Sequence, residues 1–191
     1  MAVLRYTRTA VVLHWVVAVL ILANLALALS VDQLNDAWVR PVIDTHKSIG
    51  ITVLGLALLR ILWRLAHKPP PLPQGYTRWE TRAAHIAHAF LYAFMIAMPV
   101  SGWMHDSAWK DAATHPMRLF GVVPWERLGF ISSMEPVAKE ALHTLLGTVH
   151  ASLGYTLLAI VLLHIGGALK HQWLDQEPAL QRMWLDLFRN H

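Results

Sequence analysis

Two histidines, His150 and His164, stand fourteen residues apart on one apolar stretch running from about Leu145 to Leu169. A helix turns about 100° per residue, so fourteen steps leave the two side chains about 40° apart, on one face. The rise of about 1.5 Å per residue separates them by roughly 21 Å along the axis. That is most of the roughly 30 Å hydrocarbon thickness of a bilayer. An ionisable side chain inside a membrane is costly and marks function by default. Two imidazoles on one face, one toward each membrane surface, are what two stacked redox groups would need from a helix.

The elements that must position them are apolar and long. The chain has 191 residues, 55% hydrophobic and 15% charged, with mean hydropathy +0.40. These values point to a small polytopic membrane protein. Four stretches can cross: about Ala10–Leu29, His46–Leu65, Ala83–Met104 and Leu145–Leu169, making residues 1–191 a single four-helix domain. Between them lie a loop over Ser30–Thr45, a proline-rich connection over Ala66–Arg82 and a long loop over His105–Thr144. The prolines of the second connection stop the helix and stiffen the chain. The long loop, with apolar stretches such as Met117–Trp125, is expected to hold a short interfacial helix. Arg5 and Arg8 ahead of an apolar run resemble a signal peptide. At about 20 residues, with His14 inside it, the run is too long for the 7–15 residues of a signal core, so it reads as a retained span.

Charge gives the orientation. Of the sixteen Lys and Arg residues, ten fall on the N-terminal side of the membrane: Arg5, Arg8, Arg60, Arg64, Lys68, Arg78, Arg82, Lys170, Arg182 and Arg189. Arg40, Lys47, Lys110, Arg118, Arg127 and Lys139 fall on the other. Both termini are therefore expected to be cytoplasmic. The same distribution explains the net charge of +4 without invoking nucleic acid.

With that topology His14 pairs in depth with His164 near the inner face, and His46 pairs with His150 near the outer face. Each pair could give an iron two axial imidazoles, forming a haem b suited to electron transfer. The chain has no cysteine, which excludes disulfides, thiolate-held iron–sulfur clusters and covalent c-type haem attachment. Haem must then be held non-covalently. Small residues one turn from the ligands, Gly50 after His46 and Gly154 after His150, leave room for a macrocycle, although small residues also serve helix packing in membranes. His85 and His88 open the third span and suit a quinone site, a proton path or a rival ligand pair. His143 suits the surface or a propionate neighbour. His171, seven residues after His164, lies at the inner boundary where quinone headgroups sit. No four ligands converge at one depth, which disfavours zinc.

These residues resemble the bacterial cytochrome b561 family, four-helix di-haem b membrane proteins that include the superoxide oxidase type. The resemblance rests on Arg5-Tyr6-Thr7 to Leu13-His14-Trp15, His46-Lys47-Ser48-Ile49-Gly50 and the proline run. Ala84-His85-Ile86-Ala87-His88 leading to Pro99-Val100-Ser101-Gly102-Trp103, Phe120-Gly121 and the His150–His164 spacing complete it. It covers essentially the whole chain. It implies an all-α bundle enclosing two b haems ligated by His14, His46, His150 and His164, in a bacterial inner membrane. The implied activity is electron exchange between ubiquinone and a one-electron partner outside. For the superoxide oxidase type, superoxide is oxidised at the outer face and ubiquinone reduced near the inner one. Lys47 would then attract the anion, and His171 and His88 would serve the quinone. A homodimer is compatible with this reading. Two alternatives stand beside it: a haem b anchor subunit serving a peripheral dehydrogenase or hydrogenase, and a four-span transporter using histidines as proton relays. The transporter lacks support, because every Asp and Glu lies outside the apolar cores.

Overall fold

The computed structural model describes residues 5–73 and 75–184; Arg189, counted above among the inner basic residues, lies outside them. Four long helices dominate: α1 (Arg8–Ser30), α2 (Asp36–Ala66), α3 (Arg78–Ser107) and α5 (Pro136–Trp173), with a single-turn α4 (Gly129–Ser132) in the last connection. All four long helices are long and apolar enough to cross a membrane. They are apolar around most of their circumference, as a lipid-facing helix must be: Val19, Leu62 and Leu163 are 61%, 61% and 75% exposed.

Helix starts are set by local chemistry. The Thr7 hydroxyl accepts the Ala10 amide at the start of α1. Thr77 and Glu80 form a reciprocal capping box at α3, and Glu135 accepts the Val137 and Ala138 amides beside Pro136 at α5. Such caps satisfy amides with no helical partner. The helices outrun their apolar cores. α2 begins at Asp36, so most of the stretch expected as a loop over Ser30–Thr45 is helical. α5 begins at Pro136 and at 38 residues is roughly 57 Å long. Hydropathy marks where the lipid ends, whereas backbone hydrogen bonding carries a helix on through polar turns.

Consecutive long helices run antiparallel. Trp63 near the end of α2 donates to Thr7 at the start of α1, and Lys170 near the end of α5 meets Glu80 at the start of α3. The end where α1 begins and α5 finishes is termed the inner end. α1 packs on α2, α2 on α3, and α3 on α5, while α5 makes no comparably extensive approach to α1 or α2. Two apolar clusters fill the mid-depth of the bundle: Val17, Ile49, Val53, Ala57 and Met95, and Phe94, Leu157 and Val161.

The long connection holds the expected short helix, α4, and its Met117–Trp125 stretch adds a small antiparallel ribbon, β1 (Arg118–Leu119) with β2 (Val123–Pro124). The ribbon turns at Phe120 and Gly121, both with positive φ (51° and 72°), where glycine is free of steric cost. The Phe120 amide donates to Ser48 Oγ at 2.9 Å, seating the turn two residues from His46.

Candidate functional site

α5 carries His150 and His164 and faces α1 and α2 across the poorly packed side of the bundle. His46 on α2 stands opposite His150 with ring centroids 6.1 Å apart. His14 on α1 stands opposite His164 at 6.3 Å. Imidazole bonds to a first-row metal are about 2 Å long, so two rings held trans across one metal have centres roughly 6 Å apart. Both pairs meet that spacing, and both join helices whose backbones stay apart.

The outer pair is oriented by hydrogen bonds. His46 Nδ1 lies 3.1 Å from the Asn24 carbonyl oxygen, and His150 Nδ1 lies 2.9 Å from Ser101 Oγ. With Nδ1 engaged, Nε2 of each ring is left for a metal. A Cβ added to Gly102 would sit 3.0 Å from His150 Cε1, so glycine there lets the ring lie against α3. Around Gly50 a Cβ would meet only Asn24 Nδ2, at 3.8 Å, and around Gly154 only Met98 Cε, at 3.7 Å, so neither position is crowded.

The inner pair has a third imidazole. His88, on α3, lies 5.4 Å from His164, whereas His85 is exposed. Among the described residues, Asn24 Oδ1 on α1 is a buried polar atom without a hydrogen-bond partner, as is His14 Nδ1. An orphaned acceptor such as Asn24 Oδ1 is what a bound polar group would satisfy. Above His14 at the inner end, a cavity of about 170 Å³ is lined by Arg5, Arg60, Arg64 and Lys68 with Tyr6, Trp63 and Tyr92 and, among the described residues, by no carboxylate. Four imidazoles in two opposed pairs, an orphaned acceptor and a basic pocket suited to carboxylates together fit haem.

The other expected site residues are more constrained than their sequence positions suggest. Lys47, 17% exposed, pairs with Asp106 at 2.5 Å and Asp44 at 3.5 Å. Asp106 is buried, 5% exposed, and also takes Arg127 at 2.8 Å, whose guanidinium donates to the Ala112 and His115 carbonyls. The charge of Lys47 is thereby offset by its neighbours, and the pair straps the long connection to α2 and α3. A cavity of about 390 Å³ beneath that connection is lined, among the described residues, by Arg118, Arg127 and Lys139 against the one carboxylate of Glu126. His143 stacks on His105 at 4.1 Å and engages the His105 carbonyl.

At the inner end His171 is held by Asp175 (Nδ1 to Oδ2 2.7 Å) and stacks on Tyr76 at 3.9 Å. Lys170 bridges Glu80 at 2.6 Å and Asp175 at 2.7 Å. Ligand atoms of Glu80, His171 and Asp175 come within 4.8 Å of one another, but the Lys170 ammonium already serves both carboxylates as their cation. Its hydrogen bond holds the Asp175 carboxyl below the usual carboxylate range, with His171 acting in the same sense. Burial pushes the Tyr76 phenol up. Asp106, Ser101 and Asp175 were not singled out from the sequence. The only local signal was for Asp175, four residues after His171 and so on the same helical face.

A four-span bundle that opposes two histidine pairs across one long helix is of the membrane b-type cytochrome class. The profile described as prokaryotic cytochrome b561 matches residues 5–185, and the chain belongs to that family, which binds haem b and transfers electrons within the membrane. Among its relatives, cytochrome b561 homolog 2 of Escherichia coli (strain K12) is 30% identical over 94% of this chain and 90% of its own length. Cytochrome b561 homolog 1 of the same organism is 23% identical over 94% and 96%. A probable superoxide oxidase CybB of Yersinia pestis is 24% identical over 94% and 95%.

Proposed function

We propose that this chain is a di-haem electron-transfer oxidoreductase of the bacterial inner membrane, with both termini cytoplasmic, which accepts electrons from superoxide at the outer face and reduces ubiquinone near the inner face. The observation that carries this reading is the presence of two opposed imidazole pairs, 6.1 Å and 6.3 Å apart, at two depths of one membrane bundle. His46 and His150 would hold one haem b and His14 and His164 the other; each would supply a one-electron couple, suited to matching a one-electron donor to a two-electron quinone. Both ligands of each pair come from one chain, so the site needs no second copy.

The chain's own residues divide the remaining work. Arg60 and Arg64 would pair with the propionate carboxylates of the inner haem, as guanidinium forks do. Arg118 and Lys139 would raise the local concentration of an anion at the outer face, with Lys47 contributing little because Asp106 and Asp44 offset it. His171, held by Asp175 and stacked on Tyr76, would hydrogen-bond a quinone oxygen and deliver a proton to it, and His88, 5.4 Å from His164, would serve the quinone from the side of the inner pair. The name superoxide oxidase belongs to the Yersinia relative; its extension to this chain rests on the basic outer cavity.

The test is haem quantification on the purified protein followed by superoxide-driven ubiquinone reduction. The expected result is two non-covalent b haems per chain and quinone reduction that stops when superoxide is removed. One haem or none would overturn the di-haem reading. Two haems without superoxide-dependent turnover would move the donor to a peripheral dehydrogenase.

A further inference from the structure

The two imidazole pairs differ in how their second nitrogens are satisfied, and this difference has an electronic consequence. Ser101 Oγ lies 2.9 Å from the Met98 carbonyl oxygen and 2.9 Å from His150 Nδ1. A carbonyl can only accept, so the hydroxyl hydrogen goes to Met98 and Oγ is left to accept from His150 Nδ1–H. The same logic makes His46 Nδ1 a donor to the Asn24 carbonyl, 3.1 Å away. Both outer rings are therefore in the Nδ1–H tautomer, each with its proton shared with an oxygen. Sharing that proton raises the basicity of the opposite nitrogen. A more basic axial ligand stabilises the oxidised iron and lowers its reduction potential, one of the ways a protein tunes such a group.

At the inner pair His14 Nδ1 is buried with no hydrogen-bond partner among the described residues, so no described protein oxygen enriches that ligand as Asn24 and Ser101 enrich theirs. The cation beside the outer pair, Lys47, is offset by Asp106 and Asp44, so the difference between the two pairs lies in the hydrogen bonds of their second nitrogens.

We propose that Ser101 is a positioning residue that, together with the Asn24 carbonyl, gives the outer haem a lower reduction potential than the inner one, so that electron transfer runs downhill from the outer face to the inner. This rests on the di-haem reading above.

The experiment is a spectroscopic redox titration of the haem-loaded protein and its variants. In the unaltered protein two midpoints are expected, and H150A should delete the lower. S101A should shift the lower midpoint upward and leave the upper in place, with a parallel change in the low-spin ferric resonance spectrum of one haem only. S101T keeps the hydroxyl and should restore both values. If S101A fails to hold the outer haem, S101C, whose thiol is a weaker acceptor, should give a smaller upward shift of the lower midpoint. Unmoved midpoints in a protein holding two haems, or loss of the upper midpoint in H150A, would overturn the proposal while leaving the di-haem reading intact. A single haem per chain would overturn both.

Discussion

His88 is the residue on which the inner pairing turns. Its ring lies 5.4 Å from His164, closer than the roughly 6 Å expected of two imidazoles trans on one metal, whereas His14 stands at 6.3 Å. His88→Ala should therefore keep two haems per chain, while His14→Ala or His164→Ala loses the inner one and His46→Ala or His150→Ala the outer one. Pyridine haemochrome quantification of the five variants checks this, and a His88→Ala protein with one haem would make His88 the ligand. The four ligand candidates were legible in the sequence because helical periodicity and depth within an apolar run are both local quantities. Their supports were not. The Asn24 carbonyl has no side-chain signature, and Ser101 is one serine among several until α3 is packed on α5.

Among the elements, the long connection and the chain after α5 are each tied down by a buried or half-buried carboxylate. Asp106 holds Lys47 of α2 and Arg127 of the connection while itself 5% exposed. Breaking a buried ion pair from one side leaves uncompensated charge and costs roughly 3–5 kcal/mol. Asp106→Ala should lower stability by about that amount in a detergent-unfolding titration, and a Lys47→Met, Asp106→Leu double variant should recover only part of it, because Arg127 still loses its carboxylate. At the inner end the Asp175 carboxyl is held below its ordinary value, chiefly by Lys170. A depressed folded-state value means that the clamp is fully present above the ordinary carboxyl pKa of about 3.9 and is lost as pH falls through the lower folded value. Amide protection over 171–180 should thus persist from neutrality to mildly acid pH and fall only below the ordinary carboxylate range, and Asp175→Asn should lack it throughout. Loss of protection near neutrality would refute the assignment of the clamp to the Asp175 carboxylate. The Asp106 clamp could not be read from the chain, because it joins residues distant in sequence; at the inner end only the spacing of Asp175 from His171 was legible, and the bridge from Lys170 to Glu80 was not. The ribbon at Met117–Trp125 was likewise masked by an apolar run too short to tell strand from helix.

Across the whole molecule, the functional proposal assigns different chemistry to the two ends, and their charges can be varied separately. The outer cavity has Arg118, Arg127 and Lys139 against Glu126, but Arg127 is engaged with Asp106, and Lys47 is offset by Asp44 and Asp106. The steering field for an anion is then a small surplus of positive charge, and single substitutions should move it in both directions. Lys139→Gln should slow haem reduction by superoxide and flatten its dependence on ionic strength. Asp44→Asn, at a side chain 48% exposed and paired with Arg40 and Lys47, should accelerate reduction and steepen that dependence. Both effects should fade as the Debye length shrinks from about 10 Å at 0.1 M salt to about 3 Å at 1 M. At the other end, His171→Gln should slow re-oxidation by ubiquinone several-fold without altering reduction from outside, because His171 and its partners Asp175 and Tyr76 lie at the inner end of the bundle. Stopped-flow measurement of the two half-reactions in each variant separates the ends. Equal slowing of both half-reactions by His171→Gln, or a faster superoxide reaction in Lys139→Gln, would refute the assignment of the donor to the outer face and the quinone to the inner.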